Sequence, residues 1–159
     1  MKTTATTLEP FFDRLSRFEG RLEKWYGVLR DETPDPRVAL LTYYLSRHSR
    51  LLTRMLAGLT PTEITRLSQA ECAADMGQGL EKAFPLIRTP PRDVVGQNLL
   101  QTALDYQGRL AEIFRRLRGE TRNKKVSAFL EKLAVLEETD LVKLRKMMAT
   151  GYFAAGEGA

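Results

Sequence analysis

Four stretches of this chain repeat apolar residues with the 3.6-residue period of an α-helix, and each closes on a stop signal. This pattern limits the fold, because four long amphipathic helices bury their stripes most readily against one another. The first stretch runs from about Leu8 to Arg30 and ends at Thr33-Pro34-Asp35-Pro36. Asp35 reads as an N-cap, with Pro36 at the first helical position where its missing N–H is tolerated. The second helix follows to about Ala57 and stops at Gly58. Thr60-Pro61-Thr62-Glu63 is a capping box that opens a shorter helix toward Asp75. Met76 to Pro91 carries Gly77, Gly79, Pro85, Pro90 and Pro91, and reads as an irregular crossover with one helical turn around Leu80–Phe84. The third long helix spans about Val94 to Arg118 and stops at Gly119; the fourth spans about Arg122 to Ala149 and stops at Gly151. The tail from Tyr152 to Ala159 is expected to be loose. The expected fold class is therefore all-α: one domain over residues 1–159, ordered over about 8–150, with two helical hairpins joined by a long crossover.

The chain of 159 residues is long enough for one real core. Its 43% hydrophobic and 28% charged residues are ordinary for a globular protein. No apolar run approaches the roughly 18 residues of a membrane span, and the N-terminus lacks a signal-peptide stretch, so no membrane partner is expected. The single cysteine, Cys72, excludes an internal disulfide and suits a reducing, cytoplasmic setting; it reads as a small apolar filler. Lys and Arg number 25 against 20 Asp and Glu. That net charge of +5 is spread over several helices, so nucleic acid is not the expected partner. No Gly-rich phosphate loop or nucleophile turn is present to suggest other chemistry.

The two halves resemble each other. Shifted by 88 positions, Phe11, Phe18, Leu22 and Trp25 of the first helix fall on Leu99, Tyr106, Leu110 and Ile113 of the third. Shifted by 92, Val38, Leu41, Leu52 and Met55 of the second fall on Leu130, Leu133, Leu144 and Met147 of the fourth. Two hairpins related by a pseudo-twofold are the expected result.

Several polar residues lie on the apolar faces. In the second helix the arc is set by Leu41, Tyr44, Leu45, Leu52, Met55 and Leu59, and His48, the only histidine, falls at its centre. Arg47, Arg50 and Arg54 fall opposite. In the fourth helix Glu137 and Asp140 lie inside the arc of Val126, Leu130, Leu133, Leu141, Leu144 and Met147. Glu19 and Gln107 lie nearer the edges of theirs. Buried carboxylates are costly unless they are paired, protonated or metal-bound. The plain reading pairs His48 with Glu137 and Gln107 with Asp140. The sharper reading makes these residues a site, or the remains of one.

In these residues the chain resembles the ferritin-like superfamily, most closely its rubrerythrin-like group. FEGRLEKWYGVL followed by DPRVALLTYYLSRHSRLL looks like that family's first hairpin, and LDYQGRLAEIFRRL followed by VSAFLEKLAVLEETDLVKL like its second. The resemblance implies a Glu on each of two helices and Glu-x-x-His on each of the other two, holding two metals. Carried over, Glu19 keeps the first carboxylate and Gln107 replaces the other. The second helix reads Leu45-Ser46-Arg47-His48, which keeps the His and loses the Glu; the fourth reads Glu137-Glu138-Thr139-Asp140, which keeps the Glu and puts Asp for His. The implied centre is incomplete, holding no metal or one Fe, Mn or Zn ion on Glu19, His48, Gln107, Glu137 and Asp140.

The expected function is non-catalytic: a binding, structural or regulatory bundle. One alternative is a metal-dependent redox or peroxide-handling protein with altered ligands. Another is an unrelated bundle that binds a protein or nucleic acid through its Arg-bearing faces. Phe18 and Trp25 flank one apolar arc, and Tyr106 and Ile113 flank the equivalent one. The crossover is expected to cover only one flank, which leaves a patch for a homodimer.

Overall fold

The computed structural model describes residues 6–69, 71–72 and 79–153. Four long helices dominate: α1 (Leu8–Glu32), α2 (Pro36–Ala57), α5 (Gly96–Glu120) and α6 (Lys124–Ala149). Between the halves lie α3 (Pro61–Gln69), the single turn α4 (Leu80–Ala83), and two 3₁₀ turns at Pro85–Arg88 and Pro91–Asp93. The one extended pairing among the described residues is a two-residue antiparallel contact of Thr6–Thr7 with Glu71–Cys72. The fold is all-α. No described helix is long and apolar enough to cross a membrane.

The caps explain where the helices begin. Asp35 Oδ1 accepts the Arg37 N–H at 2.9 Å, and Pro36 follows the cap as the sequence predicts. Thr60 Oγ1 accepts the Glu63 N–H at 3.1 Å and opens α3. That helix ends at Gln69 rather than running toward Asp75, because Glu71–Cys72 is extended and paired with the chain start. The predicted stretch from Ala73 to Gln78 and the side chain of Cys72 lie outside the described residues. α6 starts at Lys124 because Asn123, not Arg122, supplies the cap, accepting from Lys125 and Val126. α5 starts at Gly96 and runs through Gly119 to Glu120; a helical glycine with open space around it weakens a helix without ending it.

α1 packs along α2, and α5 along α6. The hairpins meet through side chains: Phe18 on Tyr106, with ring centroids 5.7 Å apart, and Phe12 on Phe129 at 5.9 Å. Phe84 from the crossover is fully buried, and its ring lies 5.7 Å from Trp25, 6.0 Å from Tyr26 and 5.6 Å from Tyr106. One crossover aromatic thus covers both flanks, where the sequence suggests only one can be covered. On these flanks Phe18 and Tyr106 are buried, while Trp25 and Ile113 are partly buried against the core.

The tail also differs from expectation. Phe153 is buried, and the Tyr152 hydroxyl donates to the Arg37 carbonyl at 3.1 Å. Arg37 Nη1 donates in turn to the Phe153 carbonyl at 3.2 Å. The ring fits because residue 96 is glycine; a Cβ there would lie 2.3 Å from the Phe153 ring. Packing therefore continues through residue 153, beyond the expected 150; residues 154–159 of the tail lie outside the described residues.

Tyr44 is 51% exposed, although the wheel places it on the apolar arc. The arc of α2 is wider than its seam with α1, and the crossover packs on α1 and α5, with α3 also touching α6. The α2–α6 side is left as an open groove of about 930 Å³.

Candidate functional site

Four apolar periodicities turn polar groups inward. Leu41, Leu45 and Leu52 bury one face of α2 and carry His48 and Ser49 with them. Leu130, Leu133, Leu141 and Leu144 do the same for Glu137 on α6. Leu15 and Leu22 flank Glu19 on α1, and Leu100, Ala103 and Leu110 flank Tyr106 and Gln107 on α5. Glu19 is only 1% exposed, so it belongs to the core rather than to the edge of its arc.

At the centre, His48 Nε2 lies 2.8 Å from Glu137 Oε2. Its Nδ1 lies 3.7 Å from Asp140 Oδ2, too far for a hydrogen bond but close enough for charge to act. Burial favours the neutral imidazole, yet the hydrogen bond and charge of Glu137, with Asp140 and Glu19 behind it, lift the His48 pKa to about 9. His48 is then a cation at neutral pH. Burial pushes Glu137 upward, the His48 hydrogen bond and charge oppose the rise, and Asp140 adds to it.

Glu19 forms the second part of the cluster. The Tyr106 hydroxyl donates to Glu19 Oε2, and Ser49 also hydrogen-bonds the carboxyl. Burial, with Glu137 adding, nevertheless raises the Glu19 pKa to about 7. Tyr26 and Tyr106 are themselves held well above the usual phenol range, by burial first and by the surrounding carboxylates second.

The expected pair of His48 with Glu137 is formed. The expected pair of Gln107 with Asp140 is not: Gln107 Oε1 and Asp140 Oδ2 are buried without a hydrogen-bond partner, as is Glu137 Oε1. Asp140 sits nearer the α2–α6 groove, with a side chain that is 19% exposed, which separates it from Gln107 deeper in the core. Buried acceptors that face no donor call for a proton, a water or a cation.

The two-metal centre implied by the ferritin-like resemblance does not fit this donor set. Leu45, where the resemblance implies a bridging carboxylate, is apolar and almost fully buried. His48 Nε2 is engaged by Glu137, and Glu19 by Tyr106. Among the described residues no three His, Cys, Asp or Glu side chains converge as ligands for a cation. The sequence reading missed Tyr106, Ser49 and Tyr26 as members of the cluster. The available signal was the hydroxyl of Tyr106 on an inward face, since a buried tyrosine usually finds a partner.

The chain matches no family model, and no curated protein or solved structure matches it either.

Proposed function

We propose that this chain is a ferritin-like bundle in which a hydrogen-bonded, proton-bearing cluster stands where that family's metals sit, and that its role is non-catalytic. The observation that carries the reading is the direct 2.8 Å bond between His48 and Glu137, next to the buried apolar Leu45. A buried charge needs a partner of opposite charge, and here the imidazolium supplies it without a metal. Binding, structural or regulatory work on partners outside the core is what remains for such a bundle. The test is metal analysis of protein purified from iron-, manganese- and zinc-supplemented medium. The expected result is substoichiometric metal; about two ions per chain, as in two-metal sites, would overturn the reading.

A second reading rests on the three orphaned acceptors, Gln107 Oε1, Glu137 Oε1 and Asp140 Oδ2. In it, one Fe, Mn or Zn ion takes His48 and nearby carboxylates once the His48–Glu137 bond opens. One ion per chain in the same analysis, lost on His48→Ala, would favour this reading over the first.

A further inference from the structure

The groove between α2 and α6 has a composition of its own. Its apolar lining comes from Tyr44, Leu51, Met55, Val135, Leu136 and Met147. Leu51 and Val135 are each 47% exposed and, with Tyr44 at 51%, form a contiguous apolar floor rather than scattered single groups. Its cationic lining comes from Arg47, Arg50 and Arg54 on α2 and Lys132 and Lys143 on α6. Asp140, half buried against His48, is the one acid that lines it. Glu23 pairs with Arg50. Among the described residues no ion pair engages Arg54, Lys132 or Lys143.

We propose that this groove docks an acidic amphipathic helix of a partner protein. The dimensions agree. The lining runs from Tyr44 to Met55 on α2 and from Lys132 to Met147 on α6, about 16 and 22 Å at the helical rise. That is the length of three to four helical turns, whose apolar anchors recur at i, i+3, i+4 and i+7. The charges agree as well. Cations stand along both sides over several turns, so the occupant carries acids along its length on both flanks of its apolar stripe. A single acyl chain, with one terminal anion, leaves most of these cations unanswered. A nucleic acid leaves the apolar floor unanswered. A second copy docked groove to groove about a twofold sets like charges against each other. The proposal stands on the groove alone and does not depend on what the core holds.

The experiment uses a fluorescent peptide of about 16 residues, with leucines at the anchor spacing and glutamates on both flanks, followed by anisotropy. A matched peptide with lysines for glutamates is the control. The glutamate peptide should bind, more weakly at high salt, and the lysine peptide should not. Arg47→Glu with Lys143→Glu on the protein should weaken binding about tenfold or more, and Leu51→Asp with Val135→Asp by a similar factor. These positions are exposed, and a melting curve checks that each variant folds. Amide resonance shifts in the wild-type complex should map to α2 and α6. No binding of the glutamate peptide, equal binding by the variants, or equal binding of the lysine peptide would each overturn the proposal. So would binding of phosphatidylglycerol vesicles in place of the peptide, which would make the groove a membrane-surface site. A wild-type dimer that Leu51→Asp dissociates would show that a second copy covers the groove, with the same consequence.

Discussion

His48 on α2 and Glu137 on α6 share a 2.8 Å hydrogen bond inside the core and tie the second helix of one hairpin to the second helix of the other. Both groups are buried, so each depends on the other to remain charged there. Removing one partner strands a buried charge, whereas removing both leaves a space that apolar groups can fill.

The first prediction follows from that asymmetry. His48→Ala alone should cost about 3 kcal/mol, while His48→Leu with Glu137→Met should lie within about 1 kcal/mol of the wild type. Urea denaturation of the single variants at each site and of the double variant gives the coupling directly. Additive losses would mean that the pair is not mutually dependent.

The second concerns pH. The His48 pKa rises from 6.5 to about 9 on folding, so its contribution is fully present below pH 6.5 and is lost as pH rises through 9. The Glu19 pKa rises from 4.5 to about 7, so folding favours the protonated carboxyl, and that contribution fades as pH rises from 4.5 to 7. Both slopes have the same sign. Denaturation midpoints should fall from pH 5 to pH 9.5, and Glu19→Gln should flatten the part below pH 7. Because His48 is the only histidine, its proton resonance titrates without overlap and should show a midpoint near 9.

The third tests the correspondence with the ferritin-like ligand pattern. Leu45→Glu, Gln107→Glu and Asp140→His together restore the carboxylates and the second imidazole at the spacing that pattern uses. The triple variant should gain iron binding, read by iron content and by absorption after exposure to ferrous iron and oxygen. If it folds and gains none, the residue correspondence is mistaken.

The fourth concerns the crossover. Phe84 fills the space among Trp25, Tyr26 and Tyr106, so Phe84→Ala should cost about 3–5 kcal/mol. Trp25, which is partly buried and packed on Phe84, should report the loss as a shift in fluorescence. Unchanged stability would mean that the crossover does not seal the α1–α5 side.

The four long helices, the caps at Asp35 and Thr60 and the inward placement of His48 and Glu137 were legible in the sequence. Apolar periodicity, proline and short polar side chains act through local geometry, and a helix wheel carries that geometry without knowledge of the neighbours. The wheel gives a direction, however, and not a partner. It points Tyr44 toward the core, while the tertiary structure leaves it on the wall of a groove. It reads Tyr106 as packing, while the fold brings its hydroxyl to Glu19 across the hairpins. It leaves Phe153 in a loose tail, and the ring is core. Gly96 admits Phe153 only because two segments far apart in the chain meet there. Local sequence thus determined which faces turn inward. Which inward groups meet, and which apolar surface stays open, was decided by packing between segments distant in the chain, where shape and burial act together.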